Sequence, residues 1–189
     1  MRMTPPDRPW QPLTLLLLIL GLAGCVETSA TRDDFAPLPS LAPLAGVYRN
    51  RGEAPHAASA PTLLSRLLWP EDANLPHEQV ETIAVEILGA RTLRVTAQGQ
   101  GGVRKVGEYA LGRDFRWENG RLRLHPRLGV AGLRSGEPMV GTTAEGVSLG
   151  LDLDGQGKAR QTASATGMAF LVVPLHVGAT TDVRFAKLR

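Results

Sequence analysis

Apolar residues gather in two different ways along this chain. Residues 13–20 read Leu-Thr-Leu-Leu-Leu-Leu-Ile-Leu, nearly without a polar break, and Gly21-Leu22-Ala23-Gly24-Cys25 follows. From Val80 onward the apolar positions alternate with polar ones. Ile83, Val85 and Ile87 fall on one face, Leu93, Val95 and Ala97 on the next, and Val147, Leu149, Leu151 and Leu153 on a later one. A period of two belongs to strands. Between Phe115 and Leu124 the alternation is split by Asn119-Gly120, which asks for a two-residue turn with both φ angles positive. That turn pairs Glu118 with Arg121, Trp117 with Leu122, Arg116 with Arg123 and Phe115 with Leu124. One face of the hairpin is then apolar and the other carries Arg116, Arg121 and Arg123.

Only one segment has helical spacing. Leu63, Leu64, Leu67 and Leu68 recur at the right intervals within residues 62–69, with Pro61 before them and Pro70 after Trp69. A helix so short must lie on the edge or mouth of a sheet. Lys158 to Thr166 is predicted as a polar edge strand, and residues 183–188 as a closing strand. The fold class is mainly β: a single antiparallel sheet or small open barrel with one short helix, behind a signal peptide and a tether.

The N-terminal run changes where the protein is expected to live. Arg2 and Arg8 precede an apolar stretch too short to span a bilayer, and small residues close it, as in a secretory signal. Leu22-Ala23-Gly24-Cys25 resembles the lipobox of bacterial lipoproteins. The resemblance implies cleavage between Gly24 and Cys25 and acylation of Cys25, with the membrane as partner through the acyl chains. Val26, where an aspartate resembles an inner-membrane retention signal, favours the outer membrane, facing the periplasm. The expected organisation is a signal peptide over residues 1–24, a lipidated cysteine and flexible tether over 25–43, and an antiparallel β domain over 44–189. Pro37, Pro39 and Pro43 mark the tether. Gly46-x-Tyr48-x-Asn50 resembles the opening strand of many small bacterial envelope lipoproteins, and also the Gly-x-aromatic start of lipocalin-like barrels.

Composition removes several chemistries. Cys25 is the sole cysteine, so no intrachain disulfide, thiolate zinc site or iron–sulfur cluster is expected. A formal net charge of +3, falling to +2 without Arg2, Arg8 and Asp7, is too weak and dispersed to argue for nucleic acid. His56, His77, His125 and His176 stand apart in sequence, with no paired spacing for a metal. Leu133-Arg134-Ser135-Gly136-Glu137 lacks the first glycine of a nucleophile elbow. Asp152-Leu153-Asp154-Gly155 lacks the later glutamate of a calcium loop, since Gln161 stands there. No catalytic residue, metal or cofactor is assigned.

Two groups remain as candidates for contact with a ligand or partner. Tyr48, Leu64, Leu68 and Trp69 form an apolar set in which the helix would act as a lid. Arg116, Arg121 and Arg123 form a cationic set suited to phosphate or carboxylate groups. The first reading is a non-enzymatic, lipid-anchored envelope lipoprotein whose β domain supports assembly or binds an envelope protein or lipid. The alternatives are a carrier of an apolar ligand in a lipocalin-like barrel and a periplasmic hydrolase.

Overall fold

The structure, a computed structural model, describes residues 25–28, 34–53, 61–132, 139–169 and 173–189. The signal peptide, Leu22-Ala23-Gly24 of the lipobox, His56 and Ser135 lie outside the described residues. The fold is mainly β, as the alternation predicts, but built from two sheets rather than one.

The smaller sheet holds β2 (Gly46–Arg49), β3 (Val80–Gly89), β4 (Thr92–Gly99) and β5 (Gly102–Ala110), in that order and antiparallel throughout. The larger sheet runs β1-β11-β10-β9-β7-β6. Its members are β1 (Cys25–Thr28), β6 (Phe115–Glu118), β7 (Arg121–Leu124), β9 (Met139–Leu151), β10 (Gly157–Ala169) and β11 (Val173–Phe185). A further strand, β8 (Arg127–Ala131), pairs with the outer part of β9, and β1 joins β11 in parallel. After β11 the chain crosses to the small sheet: Leu188 N donates to Val47 O at 2.7 Å and Val47 N to Arg189 O at 2.8 Å. Among the described residues the strands do not close into a barrel.

The two sheets face each other across a single apolar core. Ile83, Leu93, Val95 and Ala97 come from the small sheet, and Phe115, Leu122, Ala159, Val183 and Phe185 from the large one. The one α-helix among the described residues, α1 (Leu64–Leu68), caps the core with Leu64 and Leu67 buried. It is shorter than the 62–69 stretch, because Leu63 at its start is already extended. Packing also begins ahead of residue 44. Phe35 and Leu41 are buried, and Phe35 bridges Asp152.

The Asn119-Gly120 hairpin forms with the expected register throughout. Asn119 has φ 52° and Gly120 φ 73°. Phe115 is fully buried, whereas Trp117, two pairs nearer the turn, is only half-buried at the margin of the core. A Cβ at Gly120 would lie 2.6 Å from Leu38 N. Gly120→Val therefore combines positive-φ strain with a backbone clash, and should cost at least about 1–3 kcal/mol. A urea midpoint equal to that of the parent chain would show the turn to be otherwise.

β10 differs from the edge strand its polarity predicts. It is central, paired along its whole length with β9 on one side and β11 on the other. Only its first residues cover the core; the rest extends beyond it with β9 and β11 as an arm, solvated on both faces. A polar sequence thus reports two wet faces here, not an open edge.

Candidate functional site

The apolar candidates come together. Tyr48, Leu64 and Leu68 line a cavity of about 70 Å³ between the sheets and beneath α1. Ile83, Val95 and Phe185 complete much of its wall. Tyr48 is fixed by its phenol, which donates to Leu44 O at 2.8 Å, and burial pushes its pKa up. Tyr109 is held likewise on Leu68 O at 3.1 Å, with burial again raising its pKa. Trp69 packs beside the cavity, its ring 6.5 Å from that of Tyr109 and against the missing side chain of Gly107. Lys105 Nζ stands 5.8 Å from the centre of the Trp69 ring.

The helix above this cavity is pinned by a buried polar cluster. Asn50 is almost fully buried, and its Nδ2 donates to His77 O and Val80 O, each at 2.9 Å. Its Oδ1 accepts from Ser65 N at 2.7 Å. Ser65 Oγ in turn lies 3.0 Å from His77 Nδ1. A serine beside a histidine is the pair a hydrolase would need. Ser65, however, has no exposed surface, and its partner atom is Nδ1 on a ring whose own backbone is tied into the same cluster. In this arrangement no substrate can reach that hydroxyl, and the cluster acts as a staple between β2, α1 and the turn before β3.

The arginines do not converge. Arg116 and Arg123 flank a groove on the outer face of the large sheet, shared with Glu118, His125, Ser148 and Thr162. Arg123 Nη1 donates to Glu118 at 2.8 Å, which takes up part of its charge locally. Arg121 instead covers the Phe35 ring, its guanidinium 4.3 Å from the ring centre. Phe35 rests over Gly150, where a Cβ would approach the ring to 2.7 Å. Lys158 and Arg160 face the same ring at 5.1 and 5.3 Å, giving one aromatic face three cationic neighbours.

Those two cations also meet Asp182. Arg160 donates through Nε and Nη2 to both oxygens of Asp182, each at 2.8 Å. Lys158 Nζ stands 2.9 Å from Asp182 and also contacts Asp34. Burial of Asp182 opposes its charge, but the hydrogen bonds from Arg160 and Lys158 outweigh that and hold its carboxyl below the ordinary value. Sequence reasoning overlooked this cluster, since Asp34 and Asp182 stand far apart in the chain. The alternation of Lys158, Arg160 and Asp182 on polar strand positions was its only local trace.

Asp152 accepts hydrogen bonds from the backbone of Asp154 and Gln156, closing the β9–β10 turn, and pairs with Arg184 at 3.0 Å. Among the described residues, no group of three His, Cys, Asp or Glu side chains is arranged to hold a metal ion. Compared with known proteins, the chain matches no family model, no curated protein and no solved structure. Fold and site therefore define a two-sheet β domain with a small capped cavity, and its function is read from its own residues.

Proposed function

We propose that this chain is a lipid-anchored envelope lipoprotein whose β domain is non-enzymatic and serves as a structural or partner-binding module. Anchoring rests on Leu22-Ala23-Gly24-Cys25 at the end of the apolar N-terminal run, with acyl chains on Cys25 holding the protein to the membrane, in our reading the outer membrane on its periplasmic side. The single observation that favours a support or partner role over a carrier is the size of the cavity. It sits under α1, where a carrier would place its ligand, yet it measures only about 70 Å³. Pockets for small ligands run to about 300–1,000 Å³. Side chains from both sheets fill the interior, and burial of that apolar surface stabilises the fold.

Native mass spectrometry of the full chain, released from detergent, tests the choice between these two roles. The expected spectrum contains only the protein and its covalent modifications. A non-covalent lipid of stable stoichiometry, lost on Leu64→Trp through filling of the cavity, would replace the support role with the carrier.

A further inference from the structure

The arm made by β9, β10 and β11 changes character along its length. Pairing is continuous, without register shifts, from Leu151–Gly157 at the core end to Met139–Ala169 and Ala169–Val173 at the far end. Alternate residues therefore keep to the same face along its whole length. On one face the core half carries Ser148, Arg160 and Asp182 side by side. Further out, the same face carries Leu128 and Val130 of β8, Val140 of β9 and Met168 of β10. These four are 82%, 60%, 46% and 40% exposed. Val173, at the end of the arm on the other face, is exposed as well.

Charge disappears over the same interval. Residues 139–143 of β9, 165–169 of β10, 173–177 of β11, 129–131 of β8 and 25–26 of β1 include no Asp, Glu, Lys or Arg. The first charged pair met on moving inward is Arg127 with Glu145, at 3.0 Å. The β10–β11 connection reads Phe-Leu-Val in the sequence, and the β8–β9 connection contains Arg134 and Glu137.

The anchor belongs to this end. β1 lies parallel to β11 with Cys25 opposite His176 and Thr28 opposite Ala179, so the chain enters from the far end of the arm. It then runs back to the core, where Phe35 bridges Asp152. Val173 is three residues beyond His176, which places the end of the arm about 10 Å past Cys25 at ~3.3 Å per residue.

We propose that the far end of this arm is a membrane-contact surface, set into the lipid headgroup and upper acyl region around Val140, Met168 and Val173. The proposal rests on the anchoring reading above. Acyl chains on Cys25 hold that residue at the bilayer surface, and the apolar, uncharged rungs extend past it by about the 5–10 Å that interfacial elements bury. Among the described residues β1 and β8 are edge strands, and such edges limit the depth, because unpaired N–H and C=O groups are excluded from the hydrocarbon interior. The charged core half, with Lys158, Arg160 and Asp182, then stands in water and presents the rest of the domain away from the membrane.

The test uses the full chain, made in a bacterial host and reconstituted into vesicles of phosphatidylethanolamine and phosphatidylglycerol. Wild-type protein is first treated with a thiol-reactive, environment-sensitive fluorophore. Acylated Cys25 gives no label; a labelled wild type would overturn the anchoring reading and this proposal with it. Met168→Cys and Val173→Cys then carry the probe at the far end, and Leu153→Cys carries it in the exposed turn at the opposite end. The expected result is a blue-shifted emission at positions 168 and 173, quenched by spin-labelled lipid, with neither effect at 153. Emission at 168 and 173 that matches 153, from protein whose Cys25 is blocked, would overturn the proposal and leave the anchor standing. A blue shift that follows protein concentration and is insensitive to lipid quencher would assign the surface to a second copy of the chain, and would equally overturn it.

Discussion

Asn50→Ala is expected to remove about 3–5 kcal/mol of folding stability, close to half of what a domain of this size commands. One side chain satisfies two carbonyls, of His77 and Val80, and one amide, of Ser65, all in the interior. Each buried polar group left without a partner costs about 1–3 kcal/mol. The His77 carbonyl keeps a second donor in Val80 N, so the full sum is not reached. Asn50→Asp should be no milder. It retains the acceptor for Ser65 N, but turns a carboxylate toward two carbonyl oxygens. Urea unfolding gives the answer, and a loss below about 0.5 kcal/mol, the range of ordinary surface changes, would remove Asn50 from its role as staple.

The second large effect belongs to Asp182→Asn, for which a loss of about 2–4 kcal/mol is expected at neutral pH. Breaking a buried pair costs about 3–5 kcal/mol. Lys158 retains Asp34, and the groups keep some solvent access, so the expected loss is shifted downward from that range. The same residue makes stability depend on pH. Its folded pKa lies below the unfolded one, so its contribution is complete above the unfolded value of about 3.9. It is lost as the pH falls through the depressed folded value. Unfolding measured from roughly pH 7 down to pH 2 should thus show a steeper acid loss in the wild type than in Asp182→Asn. Parallel curves would mean that Asp182 is not held ionised by Lys158 and Arg160.

How much of this was legible depended on how local the cause was. The hairpin could be read because Asn119-Gly120 dictates its own register, and the structure reproduces all its pairs. Alternation also placed Phe115 and Trp117 on one face, but not at one depth. Phe115 is buried and Trp117 is marginal, whereas on the facing strand Leu122, nearer the turn, is buried and Leu124 is only partly so; depth is set by what packs over each position. The division into two sheets was not legible, since a strand's period says nothing of which sheet it joins. β10 shows the same limit. Its threonines, serine and glutamine mimic an edge, while the cause is an arm that leaves the core with water on both sides.

The candidate site divides in a similar way. Tyr48, Leu64 and Leu68 were findable because helix and first strand each had a clear apolar face, and they do share a cavity. The arginines share a polar face in sequence but separate in function. Arg123 is occupied by Glu118, and Arg121 by Phe35 from residues expected to be a tether. Asn50 stood in a motif that drew attention to it, yet its role depends on partners 15, 27 and 30 positions away. No local pattern records such contacts.

The proposed anchoring of the protein to a membrane through Cys25 is tested most directly by the intact mass of the mature protein extracted from envelopes. The expected species is a chain that begins at Cys25 and bears the added mass of more than one acyl chain, since a single chain gives only marginal attachment. Cys25→Ala should lose that mass and no longer mature at the same site. A wild-type chain that begins elsewhere, or begins at Cys25 with an unmodified thiol, would rule out the lipid anchor.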